Sequence, residues 1–426
     1  MPKTSVFAPL LDDGVPSINF FNGRLLSAED LKTEGKANRE AHRRLAHGVG
    51  DGVVSGLEVR MAEPSTADDP AVMVTAGLAI ARTGDAIQLP ADTRVSLLTV
   101  TAALGTTELT PFKYCTPPRA GAYVAGAGVY LLAITSTFAG KGRAPSAGLG
   151  NQITNCNTKY IIEGVEFVLM PIAADSLLSD PDTLRNRLAY ACFGVDADAA
   201  LAADLFGATA GGDPVSALRN AGTLTDCDVP LAIVYWTSDG IRFLDMWTVR
   251  RRPAVTIADT LGHVVDPAQT ARAEARLLQF QAHLAEILAN SANPSALEAR
   301  TNFSYLPPAA FLPINGVRLE GTLLRPAATT GKRVLDYDRF FGSHVRGEPR
   351  FIESARIGPL IRESFACPPI DLKSEEMFRL YVVRENVQAV ESGKKAVPYM
   401  IVASPHVRFH ADARFDVSRW NYSNYV

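Results

Sequence analysis

The pattern of hydrophobic and polar positions divides the chain into four regions. Residues 1–60 predict an extended lead-in followed by a helix, and residues 61–255 show mostly the alternation and short apolar runs of strands. Residues 256–300 predict a helical connector, and residues 301–426 a second strand-rich domain. The predicted fold class is therefore α+β, mainly β, with an N-terminal docking helix and two strand-rich domains joined by the connector.

The helix of the first region has clear boundary signals. Ser27 is a good N-cap residue, and Asp30 three positions later completes an approximate capping box. The helix is expected to continue to about His47, where Gly48 would end it. Its apolar stripe is thin and consists of Leu31, Ala37, Ala41 and Leu45. So narrow a stripe predicts a helix that lies on a surface or against a partner.

A compact group of apolar residues precedes this helix. Phe20, Phe21, Leu25 and Leu26, here called the apolar cluster, stand directly before the N-cap. Such groups often fix the angle at which the chain enters a helix, as in a hydrophobic staple. They would equally suit a groove on a neighbouring subunit, and the two roles are compatible. With Leu31 and Leu45, these residues are the candidates for partner docking near the N-terminus.

Strand signals follow beyond the helix. Residues 71–90 predict two strands around a turn at Thr83-Gly84-Asp85, and residues 139–158 predict a loop between two long strands. The segment Val229–Val249 has the strongest hairpin signal, with Ser238-Asp239-Gly240 at its turn.

The connector helix is predicted to open with Asp266 as cap and Pro267 at the first helical position. Packing on a neighbouring sheet is the favoured interpretation, and contact with a partner is the alternative. Its apolar face is formed by Leu277, Leu278, Ala282, Leu284, Ile287 and Leu288.

The chain ends in an aromatic run. Trp420, Tyr422 and Tyr425 would bury a large area if they docked, of order 150–250 Å² each. We therefore expect this end to be ordered, packed either on its own second domain or on a neighbouring subunit.

Composition and charge narrow the function classes. The net charge of −3 over 426 residues gives no basic field of the kind that nucleic acid or a membrane surface requires. The sequence shows no signal peptide and no apolar run of membrane-spanning length, which predicts a protein made in the cytoplasm. The five cysteines are widely spaced without a C-x-x-C pair, and a reduced thiol is expected at each.

Several sequence patterns resemble cofactor-binding, metal-binding or catalytic motifs. The glycines of "GVGDGVVSG" follow a helix and open a strand, the reverse of a dinucleotide-binding fingerprint. His42 and His47 are five residues apart, too far round a helix to share a metal. His406, His410 and Asp412 would share one face of a strand, for which a solvent-facing polar row is the default interpretation. No hydrolase, zincin or phosphate-loop motif occurs, so no catalytic, cofactor-binding or metal residue is assigned and no enzyme is expected.

The opening segment resembles a known module. "NFFNGRLLSAEDLKTE…HRRLAHGVGDGVVSGLEV", followed by "VMVTAGLAIARTGDAIQLP", is similar to the N-terminal module of structural proteins from contractile phage tails and related injection systems. The later "CNTKYIIEGVEFVLM" resembles a strand of the same proteins, so the resemblance covers roughly residues 17–170. The segment "HGVGDG" departs from that module, in which a bulkier residue often stands.

The resemblance implies a non-enzymatic structural subunit of a tail-like particle, in the baseplate or at its periphery. Its partners would be baseplate, sheath, tube or fibre proteins, with the chain present in multiple copies and with neither nucleic acid nor inserted membrane as a partner. The alternatives are a carbohydrate- or surface-binding module that uses exposed aromatic residues such as Trp236 and Trp247, and a cell-wall hydrolase.

Overall fold

A computed structural model of the chain gives the fold over most of its length. It describes residues 15–66, 69–97, 110–112, 128–145, 156–174, 180–194, 213–255, 267–319, 322–324, 333–344, 349–374, 377–394 and 397–407.

The helices are α1 (Ala28–Val49), α2 (Leu184–Cys192), α3 (Pro214–Asn220), α4 (Pro267–Asn290), α5 (Ala299–Asn302), α6 (Tyr337–Phe341), α7 (Ile357–Ser364) and α8 (Arg384–Glu391). The strands are β1 (Gly52–Gly56), β2 (Val59–Met61), β3 (Ala71–Val74), β4 (Gly77–Ile80), β5 (Ala86–Leu89), β6 (Thr93–Ser96), β7 (Thr110–Phe112), β8 (Gly128–Pro145), β9 (Cys156–Ile172), β10 (Asp228–Thr237), β11 (Gly240–Asp245), β12 (Tyr305–Leu306), β13 (Ala309–Pro313), β14 (Val317–Leu319), β15 (Thr322–Leu324), β16 (Arg350–Ile352), β17 (Ile370–Asp371), β18 (Arg379–Val383) and β19 (Tyr399–Ala403).

The fold is α+β with mainly antiparallel sheets. Helices make up 33% and strands 34% of the structure. The sequence pattern predicted that strands would dominate, and they do not. The difference arises mainly in the C-terminal part, where short helices α5 to α8 alternate with short strands.

The N-terminal part is built around a five-stranded sheet. Its order is β11-β10-β8-β7, and β9 pairs with the opposite edge of β8. Two three-stranded sheets, β1-β4-β5 and β2-β3-β6, cover one face of this sheet. Because side chains alternate across a strand, Leu132 and Ile134 of β8 point into that core, whereas Leu131 and Ala133 point to the core beneath α2 and α3.

A second sheet organises the C-terminal part. Its order is β13-β19-β18-β16, with β16 parallel to β18 and the other pairs antiparallel. Met400 and Val402 face a core shared with α4 and α6, while Ile401 and Ala403 face the core beneath α7. The sheet is therefore buried on both faces.

Helix α4 belongs to both parts. Phe280, Leu284 and Leu288 enter the core of the second sheet, and Ala275 packs with Tyr190 and Phe193 at the end of α2. Leu284 and Leu288 belong to the predicted apolar face, whereas Leu277 and Leu278 are only half-buried. The buried face instead includes Arg276, Gln279 and His283, which no apolar pattern could reveal.

Those polar side chains meet a buried ion pair. Arg185 Nε of α2 donates to Asp245 Oδ2 of β11 at 2.8 Å, and Gln279 Nε2 of α4 donates to the same oxygen at 2.9 Å. Arg185 also contacts Glu286 of α4 at 2.5 Å. Asn186 accepts from the backbone N–H groups of Ser304 and Tyr305. One turn of α2 thus fixes β11, α4 and the strand β12 to one another.

Local signals predicted several elements correctly. The hairpin β10–β11 turns at Ser238-Asp239, as expected. Residues 71–90 form three short strands rather than two, although the turn at 83–85 is correct. The prediction of a loop over 139–158 is wrong at both of its ends, because β8 continues to Pro145 and β9 begins at Cys156 in continuous register. Residues 146–155 lie outside the described residues.

Two further expectations are corrected. Cys227 takes part in a disulfide, so the expectation of five reduced thiols is wrong, while Cys192 is a buried free thiol. His406 lies in a turn after β19 ends at Ala403, so its predicted place on a strand is also wrong. His410 and Asp412 lie outside the described residues.

Within the part of the chain that the structure describes, no helix is both long and apolar enough to cross a membrane.

The buried histidine of α4 predicts a pH-dependent stability. Burial, together with the charge of Arg185, lowers the pKa of His283 to about 3. An unfolded histidine has a pKa of about 6.5, so acid favours the unfolded chain. The stability that this histidine contributes is complete above pH 6.5 and is lost progressively as the pH falls toward 3, by about 1.4 kcal/mol per pH unit.

We expect His283→Gln to remove this part of the pH dependence of the unfolding free energy, measured by urea unfolding between pH 7 and pH 5. The exposed His42→Gln is the control and should keep the wild-type slope; equal slopes in all three proteins would contradict the assignment.

Candidate docking surface

Helix α1 lies on the surface. None of its residues is buried. The predicted capping box is present, since the Ser27 hydroxyl accepts from the Asp30 N–H at 3.1 Å and the Asp30 carboxylate accepts from the Ser27 N–H at 2.9 Å. The helix ends at Val49 with Gly50 as its C-cap, two residues later than the stop predicted at Gly48.

Arg24 holds the lead-in against the start of this helix. Its guanidinium donates to the carbonyl oxygen of Asn19 at 2.8 Å and to Asp30 Oδ1 at 2.7 Å. The backbone N–H of Ile18 donates to Glu34 Oε2 at 3.2 Å. The side of the lead-in that faces α1 is therefore held by polar contacts.

The apolar side chains point away from the body. Phe20, Phe21, Leu26, Leu31 and Leu45 are between 50% and 72% exposed, and Leu25 is 93% exposed. A staple between Leu26 and Leu31 would shield both side chains, yet each remains at least half exposed. The six N-terminal candidates are thus all accessible, and we call these six residues the docking surface. Val49, which is also exposed, was missed because it stands beyond the predicted helix end.

The other three candidates cannot be placed with them. Trp420, Tyr422 and Tyr425 lie outside the described residues, so their predicted order and docking stay predictions.

An ion pair fastens the C-terminal half of α1 to the body. Arg43 donates to both carboxylate oxygens of Asp85, at 2.9 and 2.6 Å. Burial works against the charged Asp85 carboxylate, but hydrogen bonds from Arg43 and Thr83 lower its pKa. A Cβ on Gly84 would lie 2.7 Å from the carbonyl oxygen of Arg43, so only glycine lets the β4–β5 turn approach this closely.

Close backbone approach also explains the glycine-rich exit from the helix. Gly50 has φ +96°, and a Cβ there would lie 2.2 Å from the Ala254 carbonyl carbon. Arg250 donates to the carbonyl oxygens of Leu57 and Gly56 at 2.7 and 2.6 Å. Two glycines of the segment that resembles a nucleotide-binding fingerprint, Gly50 and Gly52, therefore allow the helix exit and β1 to pack closely against residues 251–254.

The remaining candidates for chemistry do not assemble into a site. Among the described residues, no group of three or more His, Cys, Asp or Glu side chains is placed to hold a metal. Trp236, a proposed glycan platform, is buried beside Tyr130 with 6.4 Å between ring centroids. Trp247 is half-buried, with Arg250 stacked 5.7 Å from its ring.

Comparison with known proteins adds no relative: no protein-family model matches this chain, and no curated protein matches its sequence.

A second exposed apolar group lies on strand β9. Tyr160, Ile161 and Ile162 of β9 are exposed, although three consecutive apolar residues in a strand normally indicate burial on both faces. The sequence carried no signal of their exposure, because this depends on where the neighbouring strands end.

Two adjacent arginines test how α1 is fastened. We expect Arg43→Ala to lower the opening free energy of α1 by about 1 kcal/mol, since it removes a half-buried bidentate pair. Amide hydrogen exchange of residues 28–49 measures this opening. Arg44→Ala is the matched control, because Arg44 is exposed and its pairing with Glu40 is loose at 3.8 Å. Equal exchange in both variants would show that Arg43 does not hold the helix.

Two nearby glycines provide an independent test. Gly50→Ala should cost about 2 kcal/mol or more in unfolding free energy, because of the positive φ and the contact with Ala254. Nothing lies within 4 Å of a Cβ on Gly48, so Gly48→Ala should be neutral or stabilise by up to about 1 kcal/mol. Urea denaturation of both variants measures the difference, and comparable stabilities would refute the close approach at Gly50.

Proposed function

We propose that this chain is a non-enzymatic structural subunit of a contractile tail-like particle, located in the baseplate or at its periphery. Helix α1 serves as the docking helix. Two strand-rich domains, residues 61–255 and 301–426, are joined by the connector at residues 256–300. The protein bridges or anchors neighbouring baseplate, sheath, tube or fibre subunits and is present in multiple copies. It is made in the cytoplasm and acts as part of the assembled particle.

The observation that carries this proposal is the orientation of the N-terminal segment. Its ionic and capping groups, Arg24, Asp30 and Arg43, make contacts within the chain. Its large apolar side chains point to solvent. Burial of a Phe or Leu side chain contributes about 1.5–3 kcal/mol, so a partner that covers several of them binds with substantial free energy. This arrangement suits a segment that contacts another chain.

The resemblance to tail proteins supports the same conclusion in physical terms. In "FNGRLLSAED", Arg24 and Asp30 order the start of the helix. In "GVVSGLEV", Gly56 and Leu57 accept from Arg250. Some of the residues that carry the resemblance thus order the start of α1 and attach the end of β1 to Arg250.

The competing functions have less support. A glycan-binding module would need exposed aromatic platforms, and Trp236 is buried. A hydrolase would need a pair of acid and base groups in a cleft, and the buried carboxylate of Asp245 is occupied by Arg185 and Gln279.

We expect Phe20→Ser combined with Leu25→Ser to abolish assembly without unfolding the chain. The two side chains are exposed, so the melting temperature should stay unchanged, while loss of their burial at an interface should reduce incorporation about tenfold or more. The chain is expressed with the genes that neighbour its own, and its copy number in purified particles is measured by mass spectrometry.

The matched control is Met61→Ser combined with Tyr399→Ser, which replaces two exposed apolar residues elsewhere on the surface. Normal incorporation of the Phe20 and Leu25 variant would rule out the docking surface. A fall in its melting temperature would instead identify these side chains as part of the core.

A further inference from the structure

Strands β8 and β9 form a ribbon that extends beyond the rest of their sheet. β10 pairs with β8 only as far as Thr135, and β7 pairs with it from Phe138 to Gly140. The β8–β9 register continues to the pair Pro145 and Cys156. Both β10 and β7 lie on one edge of β8 and β9 on the other, so β9 forms an edge of the sheet among the described strands.

The first half of this edge strand is exposed on both faces. All seven residues from Thr158 to Gly164 are exposed, and Tyr160, Ile161 and Ile162 are apolar. An edge strand presents unpaired N–H and C=O groups that can pair with another strand. Proteins usually protect such an edge with a bulge, a proline or charges that point inward, whereas here three large apolar side chains stand together.

We propose that this edge of β9 pairs antiparallel with the same edge of a second copy of the chain, with Ile161 on the twofold axis. In this register Tyr160 lies opposite Ile162 of the second copy, and Lys159 lies opposite its Glu163. Each pair occurs twice by symmetry. Thr158 lies opposite Gly164 of the second copy, which leaves room for its branched side chain.

The match holds on both faces of the ribbon at once. Tyr160 and Ile162 point to one face, where the pairing joins aromatic and β-branched side chains, a favourable cross-strand combination. Lys159, Ile161 and Glu163 belong to the other face by the alternation of a strand, and there the pairing joins opposite charges around an isoleucine pair. The Lys159 ammonium, which lies 5.0 Å from the Tyr160 ring centroid in the single chain, leaves that ring to reach Glu163 of the second copy. This self-complementarity about Ile161 identifies a second copy as the occupant. It goes beyond the proposed function and does not depend on the docking surface at α1.

A charge swap tests the register. The wild-type chain should dimerise in sedimentation velocity as its concentration rises. Lys159→Glu or Glu163→Lys places like charges opposite each other twice, so each should raise the dissociation constant about tenfold or more. The double variant Lys159→Glu with Glu163→Lys should restore the wild-type value. Lys141→Glu, the same charge change on the neighbouring strand β8, is the matched control and should leave dimerisation unchanged.

A single cysteine at the axis gives an independent measurement. Ile161→Cys brings two thiols across the axis, where opposite Cβ atoms of paired strands lie about 4.5–5.5 Å apart, so mild oxidation should give a covalent dimer on a non-reducing gel. Thr158→Cys faces Gly164 of the second copy and should remain monomeric under the same conditions.

A wild-type chain that stays monomeric at every concentration would overturn the proposal. So would a dimer that all the charge variants leave unchanged. If the single variants weaken dimerisation and the double variant fails to restore it, the edge binds a different surface and the symmetric register is wrong.

Discussion

The arrangement of this molecule depends on one buried ion pair. Arg185 and Asp245 are both removed from water, and the guanidinium is also bound by Glu286. Two charges in a protein interior lose much of their hydration, and removing one partner leaves the other uncompensated, which typically costs 3–5 kcal/mol. Because the partners come from α2, β11 and α4, they keep their contacts only in one relative position of these elements. The ion pair therefore fixes how the N-terminal sheet and the C-terminal sheet are joined.

The sequence predicted the features whose causes are local. The capping box of Ser27 and Asp30 and the turn at Ser238-Asp239 depend on neighbours three residues away or fewer, so their residues are visible in a short window. The buried face of α4 depends on contacts across the fold. Gln279 is buried where its side chain donates to Asp245, 34 residues earlier in the chain. Strand β9 begins at Cys156 because its backbone pairs with β8 there, although the composition of the segment predicted a loop.

The same distinction between local and long-range causes applies to the exposed apolar residues. The sequence identified Phe20, Leu25 and Leu31 as apolar residues in a poorly buried segment, and they are exposed. The sequence alone did not reveal that Trp236 is buried in the sheet or that Ile161 is exposed. In each case the decision depends on which strands cover the residue, and this is set by pairing partners far along the chain.

Among the described residues, three contacts attach helix α1 to the body, and all lie in its C-terminal half: Arg39 over the Phe138 ring, Arg43 on Asp85 and Gly50 against Ala254. Leu31 stands eight residues before Arg39, or about 12 Å along the helix axis at 1.5 Å per residue. When the helix rotates about its attached half, its N-terminal end therefore moves further than the attached residues do. A rotation of about 10° about the Arg39 contact would displace Leu31 by about 2 Å. Any movement of Leu31 relative to the body is therefore resisted at the turn between β4 and β5, where Gly84 and Asp85 contact Arg43.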